Sequence, residues 1–258
     1  MQKPTGYVII VLIFGKDYYM QEPILTLQGI SKHFGGVLAL KDVSFTVQQN
    51  EIVGLMGPNG AGKTTLLNII AGEYRPDSGT IKFKGHDITR HPSHKSCSLG
   101  ISRTYQIPQP FVNLSVWDHL RVSSVFGKKA GSSSTGTDFE KVLDMVGLLE
   151  RKNTIAHDLP ILSLKKLELA RALACDPELL LMDEVAAGLT DIEIPRILDT
   201  IKTIRAQGKT IILVEHVMKV MVNAVDRIVV LDKGSVICDG ACDYVMNDNK
   251  VVDAYFGA

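Results

Sequence analysis

One stretch in the first quarter of the chain has the residue types and spacing that bind phosphate groups. The pattern G-x-x-x-x-G-K-[ST] is met by Gly57-Pro58-Asn59-Gly60-Ala61-Gly62-Lys63-Thr64-Thr65. Its glycines permit backbone conformations in which successive N–H groups point at one anion, and a helix beginning near Gly62 adds its positive end. Lys63 supplies a full charge, and the Thr64 hydroxyl suits Mg²⁺. The stretch therefore predicts a site for the phosphates of a nucleotide, with an ordinary glycine-rich turn as the alternative.

Two carboxylates follow a short apolar run in the second half of the chain. Leu179–Met182 reads as a buried strand, and Asp183 and Glu184 come directly after it. With a phosphate-binding loop upstream, a strand-end aspartate can ligate Mg²⁺, and the next glutamate can polarise the water that attacks the γ-phosphate. We therefore expect Asp183 to be a metal ligand and Glu184 to be the base or to position the water. The alternative is an acidic, solvated strand end.

A histidine follows a second apolar run. Thr210–Val214 is near-continuously apolar, as expected of a parallel strand buried on both faces, and Glu215 and His216 come after it. Open parallel sheets bind their ligands at the carboxyl ends of the strands. His216 is therefore placed to reach the γ-phosphate, although a lone histidine after a strand is more often structural.

Alternating strands and helices must hold these residues in place. A strand, the glycine-rich loop and a helix follow one another over 52–72, which is the context that the phosphate-binding pattern requires. Apolar periodicity predicts an amphipathic helix over 192–207 and a mostly helical middle over about 115–175. The Gly, Ser and Thr of 127–137 predict a surface loop. The remaining predicted strands are Ile24–Leu27, Val43–Val47, Thr80–Phe83 and a hairpin of Arg227–Leu231 with Val236–Cys238.

The composition limits the classes of function. The 258 residues suffice for one large α/β domain or two small ones, and a hydrophobic content of 45% allows a core. Lys plus Arg and Asp plus Glu both number 28, so the net charge is zero and no basic field favours nucleic acid as a partner. The four cysteines form no C-x-x-C pair and are expected to be reduced thiols.

The first residues differ from the rest of the chain. Tyr7–Phe14 is an apolar run that is too short for a membrane helix, which needs about 20 residues. No small-residue cleavage site follows it, which argues against a signal peptide. Met20 stands just before the first alternating segment. We expect residues 1–19 to be a non-native extension or a mis-called start, and the domain to comprise 20–258.

Together, these motifs resemble the ATP-binding subunit of an ABC transporter. The resemblance runs from about Ile24 to Ala258, and its strongest anchors are the loop 57–65, Leu179–Glu184 and Glu215-His216. It implies an α/β fold, with a P-loop NTPase (ABC ATPase) core, an antiparallel β subdomain and an inserted helical subdomain at about 107–174.

Within that family the chain is most similar to the branched-chain amino acid importer ATPases. The residues that carry this likeness are Ala186–Leu189, after the acidic pair, and Asp253–Gly257 in the tail. The urea importer branch looks alike. The implied cofactors are ATP and Mg²⁺. The implied partners are membrane permease subunits, a second ABC ATPase subunit and, through the complex, a substrate-binding protein, with the chain peripheral on the cytoplasmic face of the membrane.

The resemblance also assigns roles to further residues. Phe34 matches the aromatic residue that stacks on adenine, with core packing as the alternative. Gln106 matches a glutamine that touches Mg²⁺ and the attacking water, and His216 matches a histidine on the γ-phosphate. The segment 107–113 and the helices after it match the face that docks onto the membrane subunits.

One family motif is degenerate in this chain. The signature L-S-G-G-Q corresponds to Leu159-Pro160-Ile161-Leu162-Ser163, which lacks the serine position and both glycines. In the family this motif binds the γ-phosphate of the ATP that the opposite subunit holds. The change therefore affects the partner's site, and we expect a heterodimer with two unequal sites. A shifted reading, Leu162–Lys166, keeps Ser163, but that serine is more simply a cap of the following helix.

The motifs favour an ATPase that powers an ABC importer for branched-chain or related amino acids. The degenerate signature keeps open a low-turnover, nucleotide-binding regulatory subunit of a heterodimeric transporter, and the urea or amide importers remain a further alternative. A soluble ABC ATPase of translation or DNA repair is disfavoured, because such proteins carry two cassettes or long coiled-coil insertions.

Overall fold

The computed structural model describes residues 22–127 and 137–256, so the predicted extension 1–19 and nearly all of the predicted loop 127–137 lie outside it. The strands are β1 (Leu25–Phe34), β2 (Val37–Val47), β3 (Ile52–Met56), β4 (Ser78–Phe83), β5 (His86–Asp87), β6 (Ile101–Arg103), β7 (Leu179–Asp183), β8 (Thr210–Val214), β9 (Arg227–Asp232) and β10 (Ser235–Gly240). The α-helices are α1 (Lys63–Ala71), α2 (Ser93–Leu99), α3 (Val116–Gly127), α4 (Phe139–Met145), α5 (Ile161–Ala174), α6 (Ile194–Ala206), α7 (Met218–Ala224), α8 (Cys242–Met246) and α9 (Asn249–Phe256).

Within the described residues the strands form two sheets. The smaller sheet is antiparallel, in the order β2-β1-β4-β5, and the larger has the order β10-β9-β3-β8-β7-β6. All neighbours in the larger sheet are parallel except the hairpin of β9 and β10. The carboxyl ends of β3, β6, β7 and β8 therefore meet at one edge, where the chain continues into the loop 57–65, Gln106, Glu184 and His216.

The larger sheet separates two clusters of buried apolar residues. Every residue of β3, β7 and β8 is buried, which explains why their sequences are apolar without alternation. Ile211 and Leu213 of β8 belong to the cluster that contains residues of α3, α5 and α6. Ile212 and Val214, on the opposite face, join the cluster built with α1 and the smaller sheet.

Helix α1 begins directly after the glycine-rich loop. Gly62 stands at its amino terminus with φ 102°, and Gly72 ends it with φ 82°; both angles are in the region that favours glycine. Leu66, Leu67 and Ile70 are buried against the sheet. Packing of this apolar face fixes the amino end of α1 at the edge where the strands end.

The described part of 107–174 contains α3, α4 and α5, and two single turns of 3-10 helix, Leu149–Arg151 and Ala156–Asp158, lie between α4 and α5. Helices α3 and α5 pack against each other, and the ring of Trp117 contacts that of Phe139 with centroids 5.3 Å apart. In the described parts of the chain, no helix combines the length and the apolar character needed to cross a membrane.

The predicted α/β fold is confirmed, and so are the strands and the helix that were predicted beside the motifs. Within the described residues, the elements that were not predicted are the helices α2, α7, α8 and α9, the two-residue β5 and the three-residue β6. The prediction that Ser163 caps a helix is wrong. Helix α5 already begins at Ile161 after Pro160, so Ser163 lies inside the first turn and the amino terminus has no side-chain cap.

Candidate functional site

The loop between β3 and α1 has backbone angles that glycine adopts and other residues avoid, as its sequence predicts. Gly57, Gly60 and Gly62 have φ values of 145°, 80° and 102°. A Cβ atom at Gly57 would lie 2.0 Å from the carbonyl oxygen of Leu231, and one at Gly62 would lie 2.6 Å from that of Ala39. At these two positions glycine is required by space as well as by conformation, so the loop curls tightly against its neighbours.

Lys63 closes the loop from the inside. Its side chain is buried, and Nζ donates hydrogen bonds to the carbonyl oxygens of Gly57 at 2.7 Å and Pro58 at 3.0 Å. Burial lowers the pKa of the ammonium, while the nearby carboxylates of Glu184 and Asp183 raise it. The ammonium is thus held where it can turn from carbonyl oxygens to phosphate oxygens.

The other residues of the loop differ in accessibility. Ala61 is buried, accepts a hydrogen bond from the Gly234 amide at 3.1 Å and donates one to Pro58 at 3.2 Å. The exposed members are Asn59, Gly60 and Thr64, and the half-buried ones are Pro58, Gly62 and Thr65. The open side of the loop therefore carries the Thr64 hydroxyl.

Asp183 ends β7 as a buried carboxylate. Neither carboxylate oxygen has a hydrogen-bond partner, and the nearest paired cation is Arg103, with Nη2 3.6 Å from Oδ2. Burial raises the pKa of Asp183, the charge of Glu184 adds to the rise, and Arg103, Lys63 and His216 oppose it. A buried carboxylate without a hydrogen bond is costly unless a cation is bound. Its free oxygens therefore fit a hard, oxygen-seeking ion such as Mg²⁺.

Glu184 is the centre of a three-residue cluster. Its Oε1 lies 3.0 Å from Nε2 of His216, and its Oε2 accepts a hydrogen bond of 2.5 Å from the side-chain nitrogen Nε2 of Gln106. The structure thus brings together the three residues predicted to be catalytic. Their ends meet at Glu184, next in sequence to the buried Asp183.

The backbone of Glu184 is unusual for a residue with a side chain. Its φ is 50°, in the left-handed region, and its amide donates a 2.9 Å hydrogen bond to Val214 of the adjacent strand. Such strain costs of order 1–3 kcal/mol and is concentrated at functional sites. The left-handed conformation of Glu184 turns the chain sharply at the end of β7. Asp183 and Glu184 therefore have different surroundings.

Arg103 is a site residue that sequence reasoning missed. It is buried at the end of β6, its guanidinium hydrogen-bonds to Asn68 of α1, and Nη1 lies 3.4 Å from Oε2 of Glu73. The guanidinium also stacks on the ring of Tyr105 at 4.6 Å, and the Tyr105 hydroxyl donates to Glu73 at 2.7 Å. Arg103 therefore ties α1 and Asp183 to the residues immediately before Gln106.

Glu215 is a second missed residue; it is buried and directly precedes His216 at the end of β8. Its Oε1 accepts a 2.6 Å hydrogen bond from the amide of Ala186, and Oε2 has no partner. Burial raises the pKa of Glu215 to about 7, against smaller opposing effects of backbone hydrogen bonds. The carboxyl group fixes the turn after Glu184 relative to the end of β8.

The Glu215→Gln variant is expected to become more stable than the parent as pH rises. Between the ordinary carboxyl pKa and about 7, folded Glu215 keeps a proton that the unfolded chain releases, so rising pH costs stability, by up to about 3 kcal/mol. Glutamine keeps an oxygen for Ala186 and does not titrate. The melting temperatures of the variant and the parent, measured from pH 5 to 8, should move apart as the pH rises. The difference between them should level off above pH 7. Parallel curves would contradict this, and exposed Glu150→Gln is the control.

Phe34 lies at the end of β1 with its ring 43% exposed. It contacts the ring of Tyr74 edge to face, with centroids 5.2 Å apart, and Nζ of Lys32 lies 5.5 Å from its centre. The exposure rules out the alternative of full core packing. Tyr74 follows α1, so this aromatic pair stands beside the helix that begins at the glycine-rich loop.

The fold and the site define a P-loop ATPase, with a glycine-rich loop before α1 and a buried aspartate at the end of a parallel strand. The family model described as "ABC transporter" matches residues 40–187. The chain belongs to the ABC transporter family, as an ATP-binding subunit that hydrolyses ATP.

Individual relatives agree with this assignment. The high-affinity branched-chain amino acid transport ATP-binding protein LivG of Escherichia coli is 34% identical over 92% of this chain and 99% of its own length. The corresponding BraF of Pseudomonas aeruginosa is 33% identical over the same shares, 92% and 99%. A solved ADP conformation of an ATP-binding cassette of an ABC transporter has a TM-score of 0.81 at 29% identity, covering 92% of this chain and 100% of that one. The resemblance inferred from the motifs is thereby confirmed.

Proposed function

We propose that this chain binds ATP with Mg²⁺ at the loop 57–65 and uses its hydrolysis to power import of branched-chain or related amino acids. The observation that carries the proposal is the joint contact of Glu184 with Gln106 and His216, at the sheet edge that also holds Lys63 and Asp183. The named relatives LivG and BraF support the substrate class.

In the proposed reaction the residues have separate tasks. The loop amides and Lys63 bind phosphate oxygens. Glu184 takes the proton of the attacking water on a carboxylate oxygen or orients that water, while the water oxygen bonds to the γ-phosphorus and the bond to the bridging oxygen breaks, so that ADP leaves. His216 contacts the γ-phosphate through its imidazole ring. Phe34 stacks on the adenine.

The proposed metal ligands are the Thr64 hydroxyl, the amide oxygen of Gln106 and the carboxylate of Asp183. The Gln106 nitrogen already donates to Glu184, so its oxygen is the atom left to act as a ligand. All three donors are hard oxygen atoms, the kind that Mg²⁺ prefers, and a bound ion would supply positive charge beside the phosphates.

We further propose that 20–258 is one ABC ATPase domain, in which about 107–174 is a helical subdomain that docks onto membrane permease subunits. Ile107, Phe111 and Val112 support this, because their side chains are 72%, 50% and 54% exposed on one short segment directly after Gln106. Apolar side chains grouped at a surface are typical of interaction sites. The chain would then be peripheral on the cytoplasmic face of the membrane, reaching a substrate-binding protein through the complex.

The amino terminus of α5 supports a heterodimer with a second ABC ATPase. It starts with Ile161, 61% exposed, after Pro160, which has no N–H group. Apolar side chains therefore stand where the family motif offers a hydroxyl and glycine amides to the partner's ATP. The site formed with the partner's loop would turn over slowly, while this chain's own loop keeps its residues.

Reconstitution tests both proposals. We expect the chain alone to hydrolyse ATP slowly, and addition of the second ATPase and the permeases to raise the rate at least tenfold. A homodimer of this chain that turns over as fast as the complete complex would contradict the heterodimer. Proteoliposomes containing the complex, with its binding protein, should accumulate labelled leucine; accumulation of urea instead would favour the alternative substrate. No stimulation by the permeases would favour a low-turnover regulatory subunit.

A further inference from the structure

The carboxyl-terminal helix reaches the glycine-rich loop. Tyr255, on α9, accepts a hydrogen bond of 2.8 Å at its hydroxyl oxygen from the amide of Gly57, the first residue of the loop. The two residues are 198 positions apart in the sequence. Helix α9 is seated by Val251, which is 5% exposed, and it contacts α8 and β10. The contact therefore comes from a packed element.

The backbone N–H and the carbonyl oxygen of Gly57 both form hydrogen bonds with side chains. Its N–H donates to Tyr255, and its carbonyl oxygen accepts from Nζ of Lys63. The residue has φ 145°, and a Cβ atom there would lie 2.0 Å from the carbonyl oxygen of Leu231, so no other residue fits at this position. Tyr255, Lys63 and the backbone of Leu231 therefore together restrict the conformation of the first loop residue.

Binding of a nucleotide would remove one of these restraints. If Lys63 turns its ammonium to a phosphate oxygen, the carbonyl oxygen of Gly57 loses that donor. The Tyr255 hydroxyl then remains as the side-chain hydrogen bond at the first glycine. An amide that loses its acceptor in a partly buried place costs free energy, so the loop would be less well ordered for phosphate without this hydroxyl.

We propose that Tyr255 is a positioning residue for the phosphate-binding loop, and that α9 and nucleotide binding are thereby linked. This rests on the proposed role of the loop 57–65 in holding the nucleotide. Burial raises the pKa of Tyr255, so the phenol stays neutral and available as an acceptor at physiological pH. Because linkage between two sites is reciprocal, bound nucleotide should in turn stabilise α9.

The test is the Tyr255→Phe variant of the full chain, with Tyr244→Phe as the matched control because that ring is 61% exposed on α8. Calorimetry with Mg·ADP should show a dissociation constant raised about three- to tenfold in Tyr255→Phe, the effect of one neutral hydrogen bond, and unchanged in the control. At saturating ATP, kcat should stay near that of the parent. An unchanged dissociation constant with a lowered melting temperature would overturn the proposal, because the hydroxyl would then serve stability alone.

A second measurement needs no variant. Amide hydrogen exchange of residues 249–256 in the parent protein should slow when Mg·ADP is added, and equal exchange with and without nucleotide would overturn the linkage. The Lys63→Ala variant separates the two proposals. If it loses Mg·ADP binding while Tyr255→Phe binds like the parent, the loop keeps its proposed role and only the inference about Tyr255 fails.

Discussion

The Lys63→Ala variant should bind Mg·ATP about 10²–10⁴-fold more weakly than the parent, since the bound phosphates would lose two charge-assisted hydrogen bonds from the ammonium, of about 1.5–3 kcal/mol each. The structure places Nζ of Lys63 inside the loop, on the carbonyl oxygens of Gly57 and Pro58. Without the ammonium, the two carbonyl oxygens of the empty loop lose their donor and the bound phosphates lose a positive charge. Calorimetric titration with Mg·ATP measures the effect, and ATP hydrolysis should be lost with it.

The control for this variant is Lys82→Ala, an exposed lysine on β4. It removes the same side chain and charge away from the loop and should bind Mg·ATP like the parent. Circular dichroism of both variants shows whether they fold. A folded Lys63→Ala protein that binds Mg·ATP with parental affinity would contradict the assignment of the loop 57–65 as the nucleotide site.

The Glu184→Gln variant should retain Mg·ATP binding but hydrolyse ATP about 10²–10³-fold more slowly, as expected when a general base is lost. The change is nearly isosteric. Glutamine can still accept a hydrogen bond from Gln106 through its oxygen, but it cannot take a proton from water. Single-turnover hydrolysis and a separate binding titration distinguish the chemical step from affinity.

Glu150→Gln serves as the control, because Glu150 is exposed on the short turn after α4. It should hydrolyse ATP like the parent in the assembled complex. Should Glu184→Gln instead keep the parental single-turnover rate, Glu184 would be a structural partner of Gln106 and His216, and the base would have to be sought elsewhere.

Short sequence motifs were enough to propose the parts of the candidate site that are contiguous in sequence. The loop 57–65 is recognisable because its glycines and Lys63 act through neighbouring backbone, and Asp183 is recognisable because it ends a fully apolar run. That Leu179–Met182 and Thr210–Val214 are parallel strands followed from their apolar runs, since strands buried on both faces lose their alternation. Each of these predictions depends on a few adjacent residues.

The connecting residues could not be found in this way. Arg103 is the last residue of a strand of only three residues, which is too short to show a period. Its partners Asn68 and Asp183 are distant in sequence. Tyr255 was noticed only as part of the family-like tail, because nothing near it reveals a contact with Gly57. Ser163 was misjudged because the helix already begins at Ile161, directly after Pro160, which is three residues before Ser163.

The seating of α9 has a practical consequence for recombinant work. Tyr255 lies on α9 and its hydroxyl contacts the first loop glycine, so a truncation that removes α9 also removes that hydrogen bond. On the proposed role of Tyr255, shortened versions of the protein would differ from the parent in their affinity for Mg·ADP. Preparations used to compare nucleotide affinities should therefore keep residues 249–256.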